Sequence, residues 1–299
     1  NNAFANCSSL TEILIPSSVT SIGDGAFHGC FKLKKVSILS SIEKISQDLF
    51  LQCYSLTEIS IPSSVLFIES NAFSKCASLK QISIPPSVIY IGNNAFSECS
   101  SLTDISIPPS VKKIGRNVFE YCSKLTQISI PSSITSFGSN IFTGIMSLII
   151  TGNIKSIPTS FFLSHKEITK IIIPPSVTSI ENNAFDGCTS LIEINIPPSV
   201  TSIGDSAFEG CLKLTQITIP SSVTLIGNSA FEGCSSLTRV SFENNNSSLI
   251  SIGEKLFSNC PQLLEVEFDP NSPLKSLSNY CFGGCIKLIQ IKIPCHVEN

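Results

Sequence analysis

Residues 99–120 read CSSLTDISIPPSVKKIGRNVFE, and after Tyr121 the same pattern begins again at Cys122. The apolar members are Cys99, Leu102, Ile105, Ile107, Val111, Ile114, Val118 and Phe119. They make neither a helical stripe nor a long alternating strand. The order is a short apolar alternation, a proline stop, a second apolar pair, and a small turn ending in Phe. A unit of this kind has one apolar face and nothing of its own to bury it against. It becomes stable only when copies stack, each covering the next.

The phenylalanines carry the register: Phe4, Phe27, Phe50, Phe73, Phe96, Phe119, Phe142, Phe162, Phe185, Phe208, Phe231, Phe257 and Phe282. Most steps are 23 residues; one is 20 (Phe142 to Phe162), and two are 26 and 25 (Phe231 to Phe257 to Phe282). The changes fall between strand and turn. Three residues are missing before Asn153, and extra ones enter at Glu243–Ser248 and Asp269–Pro273. Loops absorb such changes without disturbing a core.

Within the quoted unit, Ile105 and Ile107 point inward and Asp104 and Ser106 outward, as in a short strand. Pro108 ends the ladder because it has no N–H. The same slot holds Pro16, Pro62, Pro85, Pro131, Pro174, Pro197, Pro220 and Pro294. Ser110 belongs to a column with Ser18, Ser64, Ser87, Ser176, Ser199 and Ser222, read as a ladder that satisfies turn amides. Gly115 shares its slot with Glu69 and Glu181, so that slot needs no left-handed backbone. Val118 through Cys122 reads as a single helical or 3-10 turn.

The phased pattern L-x-x-I-x-I-P-x-S-V-x-x-I-G-x-x-A-F-x-x-C resembles the BspA-like, or Treponema-type, leucine-rich repeats. The resemblance covers essentially the whole chain. It implies a leucine-rich repeat solenoid: a right-handed β-rich superhelix with one parallel strand per coil, short second strands and single helical turns. It also implies a non-enzymatic, cell-surface or secreted protein engaged in adhesion to host, matrix or cell-surface proteins. The family has no shared catalytic residues to carry over. Ile145 and His165 depart from the pattern at the Cys slot, and Pro158 at the Gly slot.

Charged residues make up 14% and hydrophobic residues 42% of 299, too apolar for a disordered chain. No run approaches the ~18–20 apolar residues of a membrane span. A net charge of −3 points away from nucleic acid. The unbroken phase predicts one solenoid over residues 1–299, cut from a longer protein, since the chain stops at Val297 partway through a coil.

Eleven of thirteen cysteines share one slot: 7, 30, 53, 76, 99, 122, 188, 211, 234, 260 and 285. Equivalent residues in stacked coils lie ~4.8 Å apart with parallel Cβ vectors, which suits buried free thiols better than disulfides. Ile145 in the same column supports that reading. Cys281 takes the small Ala slot, and Cys295 follows the final strand and reads as exposed. An all-thiol column also suits a reducing compartment, so an intracellular scaffold or assembly module in the cytoplasm stays open as the rival. His28, His165 and His296 lie in separate coils, and spacing supports neither a nucleophile–base pair nor a metal or cofactor site.

Three sets of surface residues are candidates for contact. The outward strand face offers Glu58, Gln81, Asp104, Gln127, Glu193, Gln216 and Arg239; the competing reading is a solvated face that keeps the solenoid soluble. The second outward pair of each coil is often Thr-Ser, but two adjacent coils carry Leu66-Phe67 and Ile89-Tyr90, with Glu43-Lys44 and Lys112-Lys113 in the coils on either side. Stacking would merge these side chains into one apolar patch with a charged rim, suited to another protein or to self-association. The competing reading folds them back against a turn. Asn245 and Asn246 head glycosylation sequons in an inserted loop; Asn6 heads a third beside a buried slot.

Overall fold

The computed structural model describes residues 1–243 and 247–298. The chain divides into two units, Asn1–Gly152 and Asn153–Asn299, each a stack of parallel β coils. In the first unit one row of strands comprises Glu12–Ile15, Lys35–Ile38, Glu58–Ser60, Asp104–Ser106, Gln127–Ser129 and Ser147–Thr151. A second row of two-residue strands runs Lys44–Ile45, Phe67–Ile68, Tyr90–Ile91, Lys113–Ile114 and Ser136–Phe137. In the second unit the first row is Lys170–Ile172, Glu193–Asn195, Gln216–Ile219, Arg239–Phe242, Glu265–Glu267 and Gln290–Lys292. Its second row is Ser156–Ile157, Ser179–Ile180, Ser202–Ile203, Leu225–Ile226 and Ser251–Ile252. Pairing is parallel and keeps like slots opposite one another, as in Glu12↔Lys35↔Glu58 and Lys170↔Glu193.

Each coil therefore contributes one strand to the main row, as the alternation requires, with one exception. Residues 80–84 carry no strand, although Ile82 and Ile84 are buried like their counterparts. The first row of the first unit is divided there.

The segment before and after each Phe is not a helical turn, contrary to the sequence-based expectation. Its amides alternate between two kinds of partner. In the coil of Phe73, the amides of Ala72, Ser74 and Cys76 bond back to Glu69, Asn71 and Phe73. Those of Asn71, Phe73 and Lys75 reach forward to Asn93, Ala95 and Ser97 of the next coil. A helix needs every amide to bond within the segment; here every second one is spent on stacking. The alternation puts left-handed residues four apart, at Asn71 and Lys75, and again at Asn94 and Glu98. Asn tolerates that backbone better than most residues, which accounts for the column Asn71, Asn94, Asn117, Asn140 and Asn183 two places before Phe. The conserved-looking Gly slot is not left-handed: Gly92 has an ordinary φ, but a Cβ there would lie 2.6 Å from the Ser70 nitrogen. Close approach of coils favours glycine there, although other coils hold Glu69, Pro158 and Glu181 in the same slot. Where Ser takes the slot, its hydroxyl bonds the preceding coil, as in Ser46 Oγ to Ile22 O and Ser278 Oγ to Ile252 O.

The serine column also works differently from the expectation. Ser64, Ser87, Ser199 and Ser222 donate to the carbonyls of Ile42, Val65, Val177 and Val200 in the preceding coil. They satisfy acceptors rather than amides. The insertions are accommodated by added packing: Phe242 stacks on Phe268 at 4.5 Å, and buried Asp269 accepts hydrogen bonds from the Ser247 and Asn271 amides.

At the centre of each unit the phenylalanines stack ring on ring. Spacings run 5.3–6.1 Å from Phe4 to Phe142 and 5.1–5.7 Å from Phe162 to Phe282. Offset stacking of this kind adds ~0.5–1.5 kcal/mol per pair beyond burial. Beside the rings, the cysteine Sγ atoms donate to the carbonyl of the Phe one coil back, as in Cys76 to Phe50 (3.3 Å) and Cys99 to Phe73 (3.2 Å). All thirteen cysteines are free thiols. Burial pushes Cys53, Cys122, Cys188, Cys260 and Cys281 up to about 12 and raises Cys76, Cys99, Cys211 and Cys234 as well. Two members of the column depart from the expected burial: Cys7, in the first coil, is exposed, and Cys285, in the last, is half-buried. Cys281 is buried and Cys295 is exposed, as their slots suggest.

Two outcomes follow. Phe96→Ala removes a fully buried ring from the middle of a stack and is expected to cost ~3–5 kcal/mol in denaturant unfolding. A cost under about 1 kcal/mol would show that the stack does not hold the coils. Brief alkylation of native protein followed by peptide mass spectrometry is expected to label Cys7 and Cys295 fully and Cys285 partly. The other ten should react only after denaturation; rapid labelling of Cys99 would contradict its placement.

Candidate functional site

Side chains capable of chemistry are dispersed. Among the described residues no three His, Cys, Asp or Glu side chains come together to hold a metal. No described helix is long and apolar enough to cross a membrane. His28 Nε2 lies 3.3 Å from Gln52 Oε1. His165 stands in the cysteine column, buried, with its ring edge-on to Phe162 at 5.7 Å and Nδ1 3.2 Å from the Leu163 carbonyl. Desolvation lowers its pKa below the ordinary 6.5. The neutral ring is thus the folded form, and the unfolded chain takes up a proton first as pH falls. His165 therefore costs stability in acid: its contribution is full above the ordinary histidine pKa and is lost as pH drops below it. His165→Cys restores the column. Its thermal stability is expected to be less acid-sensitive than the parent's between neutral pH and pH ~5, the difference growing by no more than about 1.4 kcal/mol per pH unit. Parallel curves for the two proteins would contradict this.

The structure brings the Leu-Phe and Ile-Tyr pairs together. Phe67 pairs in register with Lys44 on one side and Tyr90 on the other, and Tyr90 with Lys113. In the neighbouring column, amides step from Leu66 to the Glu43 carbonyl, from Ile89 to Leu66, and from Lys112 to Ile89. Ile89 is 40% exposed, and Leu66, Phe67 and Tyr90 are half-buried. The Lys113 ammonium lies 5.9 Å from the centroid of the Tyr90 ring, within cation–π range. The inward partners of these pairs, Ile68 and Ile91, are fully buried. The four apolar side chains sit outside that core, flanked by Glu43 and Lys44 on one side and Lys112 and Lys113 on the other.

The outward strand residues separate into two settings. In the first unit Glu58, Gln81 and Asp104 line a groove of about 840 Å³ together with Lys80 and the outward serines Ser37, Ser60, Ser83 and Ser106. Glu58 is held by Lys35 at 3.3 Å, and Gln127 is exposed outside that lining. In the second unit Glu193 and Gln216 line a groove of about 480 Å³ with Lys170, Asn195 and Thr218. Lys170 pairs with Glu193. Arg239 is tied to Glu265 at 3.6 Å and to Glu267 at 3.1 Å. A Lys292 hydrogen bond, then Arg239, lowers the Glu267 pKa. Exposed pairs of this kind contribute little to stability; they neutralise the face column by column.

Asn245 and Asn246 lie outside the described residues. Asn6 is exposed in a left-handed backbone conformation. One exposed cluster has no counterpart in the sequence reading. Phe31 and Tyr54, 40% and 41% exposed, stack at 5.5 Å and 20° on the outside of the first unit. They share the slot immediately after the column cysteine, where the other coils of the first unit carry Ser8, Ala77, Ser100, Ser123 and Met146, so two successive aromatic residues occur there alone. Comparison of slot occupants coil by coil is the signal that would have found them.

A family model described as the BspA type leucine rich repeat region (6 copies) matches residues 1–125, 43–168, 155–269 and 244–299. A leucine-rich repeat protein from Bacteroides ovatus ATCC 8483 is similar at 31% identity and a TM-score of 0.60, over 86% of this chain and 60% of that one. The chain thus spans about three fifths of that protein's length. A leucine rich cell surface protein from Faecalibacterium prausnitzii A2-165 is 29% identical over 83% of this chain and 77% of that one, with a TM-score of 0.35. The pneumococcal vaccine antigen PcpA is 22% identical over 94% and 67%, with a TM-score of 0.46. Comparison with the curated proteins finds no match.

Proposed function

Because the chain belongs to the BspA-type leucine-rich repeat family, whose model matches it from end to end, we propose that it is a non-enzymatic interaction scaffold at the cell surface or in secretion, binding host, matrix or cell-surface proteins. Repeats of this family are typically surface-associated protein-interaction scaffolds. The observation that carries the reading is the patch of Leu66, Phe67, Ile89 and Tyr90 with its charged rim of Glu43, Lys44, Lys112 and Lys113. Elsewhere the same positions hold Thr20-Ser21, Thr135-Ser136, Thr178-Ser179 and Thr201-Ser202. The Thr-Ser pairs show that the coil does not require large apolar residues at these positions. Contiguous apolar surface with a polar rim suits a protein partner, and aromatic residues are the usual anchors of such contacts. The strand-face residues Glu58, Gln81, Asp104, Gln127, Glu193, Gln216 and Arg239 are proposed as secondary contacts, weaker because several are already paired with neighbours.

A second reading, an intracellular scaffold or assembly module, draws on the free state of all thirteen cysteines, which suits a reducing compartment. Surface biotinylation of intact cells separates the two locations.

The repeat supplies its own control variant. Leu66→Thr, Phe67→Ser, Ile89→Thr and Tyr90→Ser together install the pairs found in other coils. Beads coated with the parent protein are expected to adhere to matrix films or cell monolayers. The fourfold variant should lose about tenfold or more of that binding, roughly 1.4 kcal/mol, with its melting temperature nearly unchanged. Equal adhesion by both proteins, or unfolding of the variant, would remove this patch as the site.

A further inference from the structure

We propose that Phe31 and Tyr54, with Lys32 and Lys34 following Phe31 in the same coil and Lys80 in the adjoining strand-face groove, form a binding site for an anionic polysaccharide chain. The site is distinct from the Leu66–Tyr90 patch and does not rest on the reading above. The two rings are exposed and stacked on each other at 5.5 Å and 20°. Their shared slot is occupied on one side by Ser8 and on the other by Ala77. Neither side chain is long enough to cover a whole ring, and Phe31 and Tyr54 keep about two fifths of their surface exposed. Nothing in the fold requires aromatic residues there: the same slot holds Ser100 and Ser123 in coils that pack equally well.

The surrounding residues select the partner. Lys32, Lys34 and Lys80 are exposed and enter no ion pair among the described residues, whereas Lys35 beside them is held by Glu58. Lys34 and Lys80 share a slot two coils apart, with Thr57 between them. At ~4.8 Å per coil they present positive charge roughly 10 Å apart along the stack. The remaining neighbours by slot are hydroxylic: Ser9, Thr11, Ser55, Thr57 and Ser78. Exposed rings suit the C–H faces of sugars, hydroxyls suit hydroxyls, and uncommitted ammonium groups suit carboxylate or sulfate. The chain as a whole carries a net charge of −3, so attraction of an anion has to be local, and salt will screen it.

Titration of the whole 299-residue chain with a heparin oligosaccharide and a hyaluronan oligosaccharide, at low and high salt, tests the site. Binding is expected at low salt and should weaken as salt rises. Phe31→Ser with Tyr54→Ser should reduce affinity at least about tenfold. Lys32→Ser with Lys34→Thr should reduce it further and flatten the salt dependence. Each substitution installs a residue that the same slot already carries, so the melting temperature serves as the check on folding. The proposal is overturned if neither oligosaccharide binds, if neutral dextran binds as well, or if the aromatic double variant binds like the parent. It is also overturned if a single-stranded oligonucleotide binds more tightly through the same residues.

Discussion

The phenylalanine carbonyl is the point on which each coil depends. It accepts the amide of the column residue three places on, closing the turn within its own coil, and it also accepts the thiol of the next coil. Phe50 O, for example, takes Cys53 N at 3.1 Å and Cys76 Sγ at 3.3 Å. The ring on the same residue meanwhile stacks on the ring before and after it. One residue thus closes a turn, fills the core and binds its neighbour. The partner in the thiol slot must be small, tolerant of burial and able to donate weakly, and Cys meets all three demands. The thiol bond is the weakest of these interactions, so the column tolerates Ile145, which packs without donating.

The same logic explains why the turn is not a helix. Helical bonding would spend every amide inside the segment and leave coils to stack by side chains alone. Alternating the amides between the coil and its neighbour gives a ladder that continues around the turn, at the expense of two left-handed residues per coil. Asn lowers that strain at one of them, and glycine in its own slot permits close approach. The side chains of Ser64, Ser87, Ser199 and Ser222 each take up a carbonyl of the preceding coil, whereas the buried Ser110 hydroxyl finds no partner. Little polar backbone is left uncommitted, which is the condition for burying so much of so small a unit.

With the inward slots committed, variation is confined to the outward ones. Most outward slots hold small hydroxylic residues or charges that pair along a column, as Lys35 does with Glu58 and Lys170 with Glu193. Against that background, departures are informative because the fold does not ask for them. The Leu66–Tyr90 patch and the Phe31–Tyr54 stack are both of this kind. Each is a place where two successive coils both carry large apolar groups in the same slot, whereas elsewhere in these slots such residues stand singly, as Leu212, Leu225 and Ile250 do, among coils with Thr, Ser or Ala.

The strand positions, the inward faces, the proline stops and the free-thiol column were legible in the sequence, because stacking forces identical environments onto identical slots and so prints the same residue every coil. The in-register meeting of Leu66, Phe67, Ile89 and Tyr90 was legible for the same reason. Other features were decided only by the tertiary structure. The turn around Phe reads as helical from its apolar spacing, but the competition for its amides comes from the next coil, 23 residues away, and no local pattern records it. The serine column's choice of carbonyls, the closeness of coils at Gly92, and the gap in the strand row at residues 80–84 depend on the distance between backbones. Exposure of Phe31 and Tyr54 belongs with them: a side chain's type says what it could bury, and only the neighbouring coils determine whether anything covers it.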